Sequence, residues 1–184
     1  MNIYDNNFFK KISKGSLNSA LVIVPLVIEK FNPTSVIDFG CGTGAWLNVF
    51  KKFGINEVLG IDGSFFDSCS LSENEYKIFD LSNKINLNKK YSISMSLEVA
   101  EHIPEKSADL FVENLANHSD TIFWSAATPG QGGDNHINEQ PHSYWIEKFY
   151  KLGYKSDENF KELFSKSSQV EFWYRKNIIL FTKY

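Results

Sequence analysis

Four short stretches of the chain carry residue types whose spacing can do chemistry. The first is Val36-Ile37-Asp38-Phe39-Gly40-Cys41-Gly42-Thr43-Gly44. A buried-type apolar run that stops at three alternating glycines reads as strand, loop and helix start. Glycines let the backbone turn tightly and let a ligand approach it, and the helix amino end offers N–H groups to a carboxylate or phosphate. The spacing is GxGxG, not the dinucleotide pattern GxGxxG. Asp38 stands two residues before the first glycine, where it repels a pyrophosphate and attracts an ammonium group. The second stretch, Leu59-Gly60-Ile61-Asp62, ends in an acid placed to accept hydrogen bonds from ribose hydroxyls. The third, Phe79-Asp80-Leu81, adds an acid and an apolar residue at the same sheet edge. Taken singly, Asp62 or Asp80 reads as a turn or cap residue. In series at three strand ends, they describe a pocket for an adenosine carrying an amino-acid tail.

The fourth stretch is Glu98-Val99-Ala100-Glu101-His102. On a helical turn, positions i, i+3 and i+4 share one face. Two carboxylates and an imidazole then point at one spot, a donor set that suits Mg, Mn, Fe or Zn. A further ligand, His136, is available from the loop between Thr128 and Pro141, which is rich in Gly, Asn and Gln. Without a metal, the same residues position a loop, or His102 or His136 acts as a general base. Both readings stand. A loop of this length inside a small domain is usually functional, and His136, Asn138, Glu139 and Gln140 offer polar groups to hydroxyls. Tyr144 and Trp145 read as core, as do Phe172, Trp173 and Tyr174. His118 and His142 read as surface or capping residues.

A scaffold must bring these stretches together. Ser16–Lys30 reads as a helix despite Pro25, and Pro33 ends it. Strands are expected over 35–39, 57–61, 76–79 and 91–97, with a fifth over 121–125. Helices are expected over 43–53, 104–118 and 143–152. A last strand over 177–183 is expected to join the sheet edge. Strands alternating with helices imply a doubly wound, mostly parallel α/β sheet. The whole of 1–184 reads as one domain, with 1–33 an N-terminal helical segment and 34–184 the core.

Composition agrees. The 184 residues are 42% hydrophobic and 22% charged, ordinary values for a globular domain. The longest apolar run, Ala20 to Ile28, is interrupted by Pro25 and is too short to span a membrane. The first residues lack a signal-peptide pattern. Cys41 and Cys69 form no metal or redox motif, so reduced thiols and a cytoplasmic location are expected. A net charge of −3 and a single arginine, Arg175, argue against a nucleic-acid partner.

From about residue 35 to 153 the sequence resembles the class I S-adenosylmethionine-dependent methyltransferases. Gly40, Gly42 and Gly44 match the glycine motif, Asp62 the ribose-binding acid, and Asp80 with Leu81 the adenine contact. The segment Ser96 to Pro104 matches the family's LExxEHxP stretch. The resemblance implies a seven-stranded sheet with helices on both faces and one antiparallel strand near the end. Glu98, Glu101, His102 and His136 look like the metal site of small-RNA 2′-O-methyltransferases and ubiquinone-pathway O-methyltransferases. There a divalent ion holds neighbouring oxygens of the substrate. The expected activity is methyl transfer from S-adenosylmethionine to an oxygen of a small polyhydroxyl acceptor, a sugar or sugar nucleotide, assisted by Mg or Mn. The rivals are a nitrogen or RNA-end acceptor, a member that binds cofactor without turnover, and a nicotinamide-dependent oxidoreductase on a similar sheet.

Overall fold

Asn32 adopts φ 43 and Pro33 follows it, so the first helix, α1 (Asn6–Phe31), stops and the chain enters the sheet. The computed structural model describes residues 6–64 and 69–184. β1 (Ser35–Phe39) is buried at all five positions, in keeping with its apolar Val36, Ile37 and Phe39. α2 (Ala45–Lys52) follows the glycine loop. Then come β2 (Glu57–Asp62), β3 (Tyr76–Ile78), β4 (Ile93–Leu97), α3 (Ala108–His118) and β5 (Thr121–Ser125). α4 (His142–Lys151), β6 (Tyr154–Asp157), α5 (Phe172–Asn177) and β7 (Ile179–Lys183) complete the chain.

The strands form one sheet in the order β3-β2-β1-β4-β5-β7-β6. β1 to β5 pair in parallel, and β7 runs antiparallel to both β5 and β6. The order reverses between β1 and β4, and in open parallel sheets the crevice at that reversal binds ligands. Each face of the sheet carries its own apolar layer. On one face, Ile23 and Val27 of α1, Leu47 and Phe50 of α2 and Tyr174 of α5 pack together. On the other, Phe111 and Leu115 of α3 meet Trp124, Trp145 and Phe149. Trp145 is a core residue, ring to ring with Trp124 at 5.1 Å.

Three readings need correction. The last strand does not lie at the edge. It sits between β5 and β6, and β6 is the edge strand. β6 escaped notice because only four residues pair there and two of them, Lys155 and Ser156, are exposed. The stretch Phe172 to Tyr174 is a short helix with only Tyr174 buried, while Phe172 is 52% exposed. His118 is neither surface residue nor simple cap: it is fully buried. Its Nδ1–H donates to the Asn114 carbonyl (2.6 Å), its Nε2 accepts the Leu87 N–H (3.2 Å), and burial holds it in the neutral form that can do both.

Asn114 completes the same anchor. Its Oδ1 accepts the Ile85 N–H (2.9 Å) and its Nδ2–H donates to the Asn83 carbonyl (2.8 Å). Asn114 and His118 thus fasten the segment that leaves Asp80 to the back of α3. Asn114→Ala leaves a buried N–H and a carbonyl unpaired, and should cost about 1–3 kcal/mol in urea unfolding. A loss below about 0.5 kcal/mol, the range of an indifferent surface change, would contradict this anchor.

Candidate active site

The loop between β1 and α2 is held against the end of β2. Gly40 N–H donates to the Ile61 carbonyl (2.8 Å), and Gly42 N–H donates to Asp62 Oδ2 (2.8 Å). Asp62 Oδ1 accepts the Gly63 N–H (2.7 Å). Gly42 has φ +53, and no atom lies within 4 Å of the place where a Cβ would project. The loop therefore keeps an open cradle beside Asp62. Asp38 is 3% exposed, and burial, then the Asp62 charge, push its carboxyl well above the usual range. Among the described residues it has no cationic partner. A ligand with an ammonium group supplies what is missing there. Asp80 lies just past β3, where Oδ1 accepts the Ser82 N–H and Oδ2 accepts from Asn83 Nδ2, each at 2.9 Å. It is exposed and shapes a turn, beside buried Leu81.

The acidic and histidine residues gather one strand further on. Glu98 follows β4 directly and adopts φ +56, so the chain breaks before a single 3₁₀ turn, Ala100–His102. Glu98 is therefore not on a helical face with Glu101 and His102, as the spacing suggested. Its carboxylate turns instead to Gln131 Nε2 (2.9 Å) and Asn177 Nδ2 (3.1 and 3.3 Å). Glu101, His102 and His136 do converge: one ligand atom from each lies within 4.8 Å of the others. His136 Nε2 stands 4.0 Å from Glu101 Oε1, and the two imidazole rings meet edge to face at 5.0 Å.

Hydrogen bonds set the lone pairs of this cluster. His102 Nδ1 faces the Asn135 carbonyl (3.2 Å) and His136 Nδ1 faces Glu139 Oε1 (2.8 Å). Both partners only accept, so each Nδ1 carries the proton and each neutral ring is left with a lone pair on Nε2. Glu101 is 1% exposed, and its Oε2 has no hydrogen-bond partner. Burial, then the Glu98 charge, push its carboxyl up to about 8. Burial also raises Glu98, against the donors from Gln131, Asn177 and Ser125. Among the described residues, no lysine or arginine ion-pairs with either acid. Imidazole lone pairs beside a buried carboxylate, one of whose oxygens is orphaned, fit a divalent cation, to which a deprotonated Glu101 and both Nε2 atoms would be the ligands.

Sequence reasoning missed Gln131 and Asn177. Asn177 is 79 residues beyond Glu98, and no local pattern links them. The expected hydroxyl contact from Glu139 is also different, because its carboxylate is used inside the loop, on Gly130, Gly132 and His136.

The chain belongs to the methyltransferase domain family, whose model matches residues 17–119, more than half its length. No curated protein matches it in sequence. Among solved structures it is similar to the methyltransferase domain of bacterial CtHen1-C (19% identity, TM-score 0.65, covering 90% of this chain and 97% of that one). It is similar to the magnesium protoporphyrin IX methyltransferase of Synechocystis PCC 6803 with bound S-adenosylhomocysteine (17%, 0.65, 100% and 90%). It is also similar to the sugar N-methyltransferase KedS8 of Streptoalloteichus sp ATCC 53650 (12%, 0.73, 100% and 96%). At these identities the likeness is one of fold. Family and fold together make the chain a class I methyltransferase dependent on S-adenosylmethionine. No helix among the described residues is long and apolar enough to cross a membrane.

Two outcomes follow from this geometry. Asp62→Ala should weaken S-adenosylmethionine binding by about 1–3 kcal/mol in calorimetry, because the ribose hydroxyls lose their acceptor. Unchanged affinity would show that the ribose lies elsewhere. In metal-free protein, Glu101 keeps its proton up to about pH 8, whereas the unfolded chain releases it near 4.5. Between those values the folded state binds more protons, so this group lowers stability as pH rises. Urea midpoints measured with chelator from pH 5 to 8 should fall more steeply for the wild type than for Glu101→Gln. Parallel slopes would contradict the assignment.

Proposed function

We propose that the chain transfers the methyl group of S-adenosylmethionine to a hydroxyl oxygen of a small polyhydroxyl acceptor, a sugar or nucleotide sugar, with Mg or Mn bound by Glu101, His102 and His136. The observation that carries this reading is the convergence of Glu101, whose Oε2 is buried without a partner, with two imidazoles whose proton-bearing nitrogens are turned to other acceptors. Glu101, His102 and His136 would hold the ion, which would supply Lewis-acid polarisation of a hydroxyl and a preference for two adjacent oxygens of one acceptor. Glu98, held by Gln131 and Asn177, adds negative charge beside the set.

The protein's own part is placement. Asp38, the loop of Gly40, Gly42 and Gly44, Asp62, and Asp80 with Leu81 hold the cofactor along the ends of β1, β2 and β3. The loop after β5 brings His136 over the end of β4, next to that crevice. Oxygen, methyl carbon and sulfur must lie in line, and holding them so is worth several orders of magnitude in rate. As the O–C bond forms the C–S bond breaks, S-adenosylhomocysteine leaves and the hydroxyl proton is lost. In a metal-free reaction, Nε2 of His102 or His136 is the atom able to take that proton.

The acceptor class follows from the loop surface. Gln131, Asn135 and Gln140 line it with amides, whereas Ile137 is its exposed apolar residue. A lipid or a flat aromatic offers such a polar surface no hydrogen bonds, which disfavours those acceptors. That a sugar-modifying enzyme shares this fold over its full length supports the class. Nitrogen methylation is the rival, and the convergence of a carboxylate and two imidazoles able to hold a Lewis-acidic cation favours oxygen over it.

Chelation should abolish turnover and leave cofactor affinity intact, and Mg or Mn should restore turnover. His136→Ala should lower turnover at least about tenfold, with cofactor affinity nearly constant. In a panel of sugars, nucleotide sugars, amines and RNA oligomers, the fastest acceptor should be a sugar or nucleotide sugar. Activity that survives chelation would replace the metal with a plain histidine base. Faster methylation of an amine or an RNA end would overturn the acceptor class.

A further inference from the structure

Glu139 is the most heavily used side chain of the loop between β5 and α4, and nothing in the methyl-transfer reading requires it. Its Oε2 accepts the Gly130 N–H (2.8 Å), and its Oε1 accepts the Gly132 N–H (2.8 Å) and the His136 Nδ1–H (2.8 Å). Gly130 and Gly132 have φ of +84 and +71. Left-handed residues close together turn backbone N–H groups into one concavity that holds an anion. Here the anion is the chain's own carboxylate. The His136 bond, first, and then the two glycine N–H groups hold Glu139 below the usual carboxylate range against its desolvation, so it is ionised.

The rest of the loop leaves the imidazole orientation unsettled. Ile137 and Asn138 N–H groups both donate to the Glu101 carbonyl (2.9 and 3.0 Å), and the Asn135 carbonyl accepts from His102. These bonds fix the backbone on each side of His136, not its ring. The ring is fixed by Glu139 on Nδ1 and by Gly133, where a Cβ would come within 2.3 Å of Nε2. From these contacts we infer that Glu139 is a positioning residue. Its single carboxylate folds the glycine-rich loop and turns His136 so that Nε2 faces Glu101 and His102. Loop conformation and ligand geometry are one property of this chain. A sequence pattern of Gly130, Gly132, Gly133, His136 and Glu139 serves it as a unit.

Three N–H donors meet in this carboxylate. A glutamine could still turn its one oxygen to Gly132 and His136, where Oε1 sits, so the informative change is a leucine of similar size, which offers no acceptor, and Glu139→Leu should release the ring. Gly133→Ala, at an exposed position with ordinary backbone angles, should displace the ring from the other side. The consequence for metal affinity rests on the proposed divalent site, whereas the ring orientation does not.

The test has two arms. In metal-free protein, long-range ¹H–¹⁵N spectra should show His136 as the Nδ1–H tautomer in the wild type and as a tautomer mixture in Glu139→Leu. In the second arm, Mn²⁺ binding followed by electron paramagnetic resonance should weaken about 10- to 100-fold in both variants, while S-adenosylmethionine affinity stays nearly unchanged. A wild type that does not bind Mn²⁺ defeats the divalent site and leaves the tautomer arm to decide on Glu139. An unchanged His136 tautomer in Glu139→Leu would overturn the inference. So would a parallel loss of cofactor binding, which would mark Glu139 as a general support of the fold.

Discussion

A carboxylate buried without a counter-charge is the constraint on which this site turns. Glu101 is 1% exposed, sits beside the charge of Glu98 and meets no lysine or arginine ion pair among the described residues. Burying an ionised carboxylate is expensive, and a group left in that position either keeps its proton or acquires a cation. The surroundings suit the second outcome, the one the proposed function requires. Two histidines arrive with their Nδ1 protons committed elsewhere, and the loop that delivers His136 is itself pinned to the Glu101 carbonyl. The fold tolerates this concentration of acceptors because the sheet and its two apolar layers supply the stability that the site does not.

The sheet also decides where the acids stand. Parallel strands all end on one side, so Asp38, Asp62 and Glu98, which lie in or just after three neighbouring strands, face a common crevice. The first two stand where the proposed cofactor would place its polar groups. The third stands at the reversal of strand order, where an acceptor can approach the cofactor from the far side. The proposed division of labour between cofactor and acceptor would thus follow from strand order, with the glycine loop on one flank and the loop after β5 on the other.

Much of this was legible because it is local. The apolar run of β1, the alternating glycines and the acid at the end of β2 are short-range patterns with one physical reading each. β5 was legible to the residue, since its turn signals bracket it on both sides. What was not legible depends on distant partners or on backbone angles. Glu98, Glu101 and His102 have helical spacing, but the left-handed conformation of Glu98 separates it from the other two. Asn177 belongs to the site only because β7 enters the sheet beside β5 and carries the end of α5 to Glu98. The buried role of His118 depends in the same way on a segment 31 residues away.

The central claim is that Glu101, His102 and His136 hold a divalent cation next to the cofactor. A crystal grown with S-adenosylhomocysteine and Mn²⁺, with diffraction recorded near the manganese edge, tests it most directly. The account predicts one anomalous peak within bonding distance of a Glu101 carboxylate oxygen and of Nε2 of both histidines. A cofactor-bound structure with no anomalous peak at that position would contradict it.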